Sequence, residues 1–112
     1  MKEPILALEK ETREILLFKS LLNAQGYIEP LDVDVYEVFD AEGTVILIHL
    51  EGEKPGLFGS AGQVRLEVTE SKEPEKLRTY LRDYLQTRQA NLSAEPSLDD
   101  LVGKIQKLDK FV

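Results

Sequence analysis

The sequence predicts an α+β domain of order α-β-β-β-α-α, an antiparallel three-stranded meander packed on one face by two helices, with an additional C-terminal helix. Three observations carry this reading. Apolar residues recur at helical spacing in residues 4–24 and 74–89, three short apolar segments of strand character lie between residues 31 and 69, and a serine opens a last amphipathic stretch at residue 97.

In the first element, Leu8, Ile15, Phe18 and Leu22 recur at helical spacing, flanked by Leu16, Leu17 and Leu21. Glu9, Glu11, Arg13 and Glu14 fill the opposite side. Pro4 suits a first helical turn, and Asn23 with Gly26 reads as the closing end. The first strand is expected within residues 31–39. Its apolar parity switches midway, from Leu31, Val33 and Val35 to Tyr36 and Val38, so either a bulge lies near Val35 or pairing begins there. Asp40-Ala41-Glu42-Gly43 is a turn signal that joins this strand to the next in a hairpin. The second strand, residues 44–51, is apolar on both faces, as a central strand is. The third, residues 63–69, alternates Val64, Leu66 and Val68 with Arg65, Glu67 and Thr69.

The second helix begins at Pro74 and carries Leu77, Tyr80, Leu81, Tyr84 and Leu85 as its apolar stripe. Ser97 with Asp100 three residues on resembles a capping box, which opens a third helix striped by Leu98, Leu101, Val102, Ile105 and Leu108. Residues 1–90 are thus expected to form one α-β-β-β-α domain. Residues 91–112 are read as a linker and a C-terminal helix, docked on the same domain or on a second subunit.

Composition bounds the chemistry. The 112 residues suit one hydrophobic core, and an apolar share of 42% is too high for a disordered chain. The absence of cysteine removes disulfides, thiolate catalysis and thiolate metal ligands. The N-terminal apolar segment is too short for a signal peptide, and the run Val45-Ile46-Leu47-Ile48 is far below the ~20 residues needed to span a bilayer. A soluble, cytoplasmic protein is the expectation. The formal net charge of −7 argues against general affinity for nucleic acid or anionic membrane. That charge is localised: residues 27–70 carry −8, while the flanking segments nearly cancel.

Two topological likenesses follow from this order. It looks like that of double-stranded-RNA-binding domains, yet Ser71-Lys72-Glu73-Pro74-Glu75-Lys76 is mixed in charge where those domains place a basic cluster. It is also similar to restriction-endonuclease-like folds, but Glu67-Val68-Thr69 lacks the lysine of their Glu-x-Lys.

Candidate functional residues lie in the acidic middle. The connection over residues 52–62 is rich in glycine and places Leu57 and Phe58 as an apolar contact for a partner. Asp32, Asp34, Glu37 and Glu67 are candidates for the acidic part of that contact. Asp32, Asp34 and Glu67 are also the alternative ligand set for a divalent cation. His49 is the only histidine and reads as a surface or half-buried polar residue. Lys72, Lys76, Arg78, Arg82 and Arg88 make a mild basic stripe, broken by Glu75 and Asp83 and suited to pairs such as Glu75 with Arg78. No catalytic constellation and no cofactor site is read from these residues. The leading expectation is a small acidic non-enzymatic interaction or regulatory module, binding a protein partner with a basic surface; a homodimer is compatible with it. The alternatives are a metal-dependent hydrolase or nuclease using the clustered carboxylates, and an acidic dimer of the secretion-chaperone kind.

Overall fold

The computed structural model describes residues 1–51, 63–88, 92 and 94–112. Among these residues it is an α+β structure with one five-stranded antiparallel sheet and three α-helices. In chain order these are β1 (Ile5–Glu9), β2 (Ile15–Phe18), α1 (Leu21–Tyr27), a short 3-10 turn (Pro30–Asp32), β3 (Tyr36–Phe39), β4 (Thr44–Glu51), β5 (Gln63–Lys72), α2 (Pro74–Thr87) and α3 (Leu98–Leu108). The spatial order of strands is β2-β1-β3-β4-β5.

The expected three-stranded meander is therefore the outer part of a larger sheet, and the long first helix is not formed. Residues 4–24 instead supply β1, β2 and the first half of α1. The apolar residues there stand in unbroken runs. Ile5, Leu6, Ala7 and Leu8 are all buried, which an inner strand covered on both faces achieves and one helix face does not. Lys10, Glu11, Thr12 and Arg13 form the β1–β2 turn, with Arg13 N–H donating to Glu9 O at 2.9 Å. Asn23 belongs to the start of α1: its backbone N–H donates to Oγ of the N-cap Ser20. The likeness to the two α-β-β-β-α families ends with this correction, because the chain opens with a hairpin.

Pairing of β3 begins only at Tyr36, the second of the two outcomes that the parity switch allowed. The β3–β4 hairpin turns at Gly43, whose φ of +84° suits glycine. A Cβ there would stand 2.6 Å from Pro74 Cα, so the turn and the start of α2 are built against each other. Asp40 is buried in the same turn. Its carboxylate accepts backbone N–H bonds from Lys2, Glu42 and Thr44, each at 2.9 Å. Strand β4 has the expected bounds, whereas β5 extends to Lys72.

Strand parity sorts the core into two layers. Leu6, Leu8, Ile15, Leu17 and Phe39 face α2 and α3, meeting Leu77, Leu81, Leu85, Leu101 and Ile105. Ile5, Ala7, Phe18, Val38, Ile46, Val64 and Leu66 face the opposite way, with Ala24 of α1 and Ile28. The sheet is thus covered on both faces, by α2 and α3 on one and by the short α1 on the other. Helix α1 touches β1, β2 and β5, which lie at opposite sides of the sheet. Helix α3 opens with the capping box of Ser97 and Asp100 and packs on α2 in the first layer. Among the described residues, no helix is long and apolar enough to cross a membrane.

Candidate interaction surface

The residues singled out in the sequence are dispersed over three parts of the fold. Asp32 ends the 3-10 turn and Asp34 is exposed in the following connection. Glu37 lies on β3 and is paired with Lys76 of α2 at 2.5 Å. Glu67 lies on β5 and meets His49 Nε2 at 2.8 Å. Leu57 and Phe58 lie outside the described residues. The postulated ligand set of Asp32, Asp34 and Glu67 is divided between the segment preceding β3 and strand β5, with β4 between those strands. Among the described residues, no group of three or more His, Asp or Glu side chains is placed to hold a metal ion.

His49 is half-buried on β4, and its partner Glu67 is exposed. The neighbouring Arg65 and Glu51 also pair across β4 and β5. The first of these pairs uses Glu67, an acid that the sequence offered to a partner. Three basic residues on or capping α2 are spent similarly, while Arg82 makes no ion pair with a described residue. Arg78 pairs with Glu75 at 3.3 Å as its spacing suggests, Lys76 with Glu37, and Arg88 with Glu14 of β2's approach at 2.9 Å. Such exposed pairs add little stability each, roughly 0–1 kcal/mol, but they cancel charge locally.

Part of the acidic middle is not cancelled, Glu42 and Glu70 singly and residues 29–34 as a group. Glu29, Asp32 and Asp34 make no ion pair with any described residue. Around them the chain exposes Leu22 (76%), Tyr27 (47%) and Leu31 (86%). Local structure explains these positions. Ser20 caps α1, and the burial of Ala24 turns Leu22, Asn23, Gly26 and Tyr27 to the outer side of this short helix. Ile28 then returns to the core, and Pro30 opens a 3-10 turn that lifts Leu31 out of it. Tyr27 packs one side of its ring near Phe18, with centroids 5.4 Å apart. The phenol of Tyr36 is raised above its ordinary pKa, first by burial and then by the charges of Glu9 and Asp32 and by Tyr27. Asp32 and Tyr27 thus share one neighbourhood beside β3.

Sequence reading missed Leu22, Tyr27 and Leu31 as surface residues. It assigned Leu22 to the buried stripe of a long helix and Leu31 to a strand. The detectable signal was Ser20 before Leu21, an N-cap residue type at the start of a helix rather than in its middle.

No protein-family model matches the chain, and no curated protein and no solved structure matches it.

Proposed function

We propose that this protein is an interaction or regulatory module, and that it binds a protein partner through the outer side of α1 and the acidic turn that follows it. The observation that carries this reading is the coincidence, within residues 22–34, of three exposed large apolar side chains with three carboxylates lacking cationic partners among the described residues. Single exposed apolar residues are ordinary on a protein surface; a group of them in one segment is the pattern of a contact surface. Leu31, Leu22 and Tyr27 supply area that a partner removes from water, worth roughly 25 cal/mol per Å². Glu29, Asp32 and Asp34 select a partner with lysine or arginine around an apolar anchor, and speed the encounter. The glycine-rich connection with Leu57 and Phe58 is a second arm of the same proposal.

Crosslinking in native extract tests it, comparing the wild-type chain with a Leu31→Ser, Asp32→Lys, Asp34→Lys variant. A specific adduct is expected with the wild type, at least about tenfold weaker in the variant and weakened by salt, as screening requires. Equal capture by both proteins overturns the assignment of the surface. The three positions carry no described side-chain bond, so the variant is expected to unfold within about 0.5 kcal/mol of the wild type.

A further inference from the structure

Two clefts flank Tyr80, between the β1–β2 turn and α2. One, of about 510 Å³, is lined by Lys10, Arg13, Glu37, Glu75, Lys76 and Tyr80, with Thr79 at its edge. The other, of about 370 Å³, shares Arg13 and Tyr80 and runs to Tyr84 and Arg88. Arg13 stands between them with its guanidinium 4.5 Å from the centre of the Tyr80 ring.

Charge bookkeeping in the larger cleft is uneven. Glu37 is neutralised by Lys76 at 2.5 Å, and Glu75 by Arg78 at 3.3 Å. Lys10 and Arg13 have no carboxylate partner among the described residues, in a chain whose net charge is −7. Both project from one four-residue turn. Arg13 also sits at φ +63°, a left-handed conformation that glycine adopts without cost and arginine does not. A guanidinium held over a tyrosine ring is attracted to its face and leaves N–H donors free for an oxyanion.

From this arrangement we infer a binding site for a phosphate dianion in the larger cleft, held by the fork of Arg13 and the ammonium of Lys10, with Tyr80 as the platform that orients the arginine. Glu9 also bears on Tyr80, but Lys10 and Arg13 are two cations of one turn that form no ion pair among the described residues, which suits a dianion, and phosphate offers the bidentate edge that the guanidinium fork requires. The inference is independent of the partner surface on α1.

The test is a ¹⁵N NMR titration of the full chain with inorganic phosphate and, separately, with phenyl phosphate, each against sodium chloride at equal ionic strength. Saturable shifts are expected in the amides of Lys10, Glu11, Thr12, Arg13, Thr79 and Tyr80. Saturation by both ligands identifies the free ion as sufficient; saturation by phenyl phosphate alone identifies a monoester as the ligand, and either supports the site. Arg13→Gly suits the turn's backbone and removes only the side chain, so binding is expected to weaken by at least about tenfold with the fold retained. Lys10→Ala is the second variant, with a smaller expected loss. Shifts that chloride reproduces, no saturation with either phosphate, or undiminished binding in both variants overturns the site.

Discussion

At the scale of single residues, Asp40 shows how a turn signal becomes a structural centre. Sequence alone placed it in a hairpin turn. The fold gives it no exposure and three backbone donors, from Lys2, Glu42 and Thr44. One of those donors comes from the start of the chain, so the carboxylate ties the segment entering β1 to the β3–β4 turn. Lys2 O completes the tie by accepting from the Ala41 N–H at 2.9 Å. Truncating Asp40 to alanine leaves buried N–H groups without an acceptor, and each such loss costs about 1–3 kcal/mol. Asp40→Ala is therefore expected to lower unfolding stability by about 2–4 kcal/mol in urea titration, in contrast to Asp34→Ala, whose exposed side chain makes no described bond. A loss for Asp40→Ala no greater than that for Asp34→Ala contradicts this account.

At the scale of elements, the legible parts were those with a local signature. The capping box at Ser97 and the stripes of α2 and α3 identified both helices, because an amphipathic helix states its buried face in its own spacing. The β3–β4 turn was legible through Gly43. Strands β1 and β2 were not, because a strand buried on both faces has no period, and the runs containing Ile5 to Leu8 and Ile15 to Phe18 fit a helix equally well. Only the tertiary setting, with α1 on one side and α2 and α3 on the other, makes those runs strands. The junction of the two C-terminal helices carries a pH dependence of its own. Tyr84 is buried on α2, and its hydroxyl donates to Asp109 at the end of α3, at 2.5 Å. Burial first, then this hydrogen bond and the Asp109 charge, raise its pKa, against the lowering effect of Arg88. The folded state therefore holds the phenolic proton more tightly than the unfolded chain. The resulting stability is fully present below pH ~10 and is lost as pH rises from there through the raised folded-state pKa, by about 1.4 kcal/mol per pH unit. Tyr36 and Tyr80 are also raised, chiefly by burial, and add alkaline loss of the same sign. Urea unfolding at pH 8 and pH 11 is expected to show a smaller alkaline loss in Tyr84→Phe than in the wild type. An identical pH dependence in the two proteins refutes the role of this phenol.

At the scale of the whole molecule, the candidate surface was legible in charge but not in shape. The sequence located the acidity in residues 27–70, and Asp32 and Asp34 do stand there without cationic partners among the described residues. It did not show that Glu37 and Glu67 are paired across elements, since that depends on α2 lying beside β3 and on the register of β4 with β5. The same topology determines how the sheet closes. An antiparallel sheet exposes the backbone groups of its two outer strands, here β2 and β5, and open edges recruit other chains. On β2, Phe111 forms a parallel bridge with Leu17, and the Val112 N–H donates to Leu17 O. On β5, the outward N–H of Leu66 donates to Oε1 of Gln25, a side chain of α1, at 2.9 Å. Helix α1 therefore occupies one backbone donor of the β5 edge as well as covering the second core layer. This makes a prediction distinct from simple loss of one hydrogen bond. Gln25→Ala is expected to cost about 1 kcal/mol of stability and to add concentration-dependent association, because the uncovered Leu66 N–H turns β5 into a pairing edge. Light scattering of the folded variant over a range of concentrations measures the second effect separately from the first. A variant that is destabilised yet associates no more than the wild type confines Gln25 to local bonding; association without unfolding establishes α1 as the element that keeps the β5 edge from pairing.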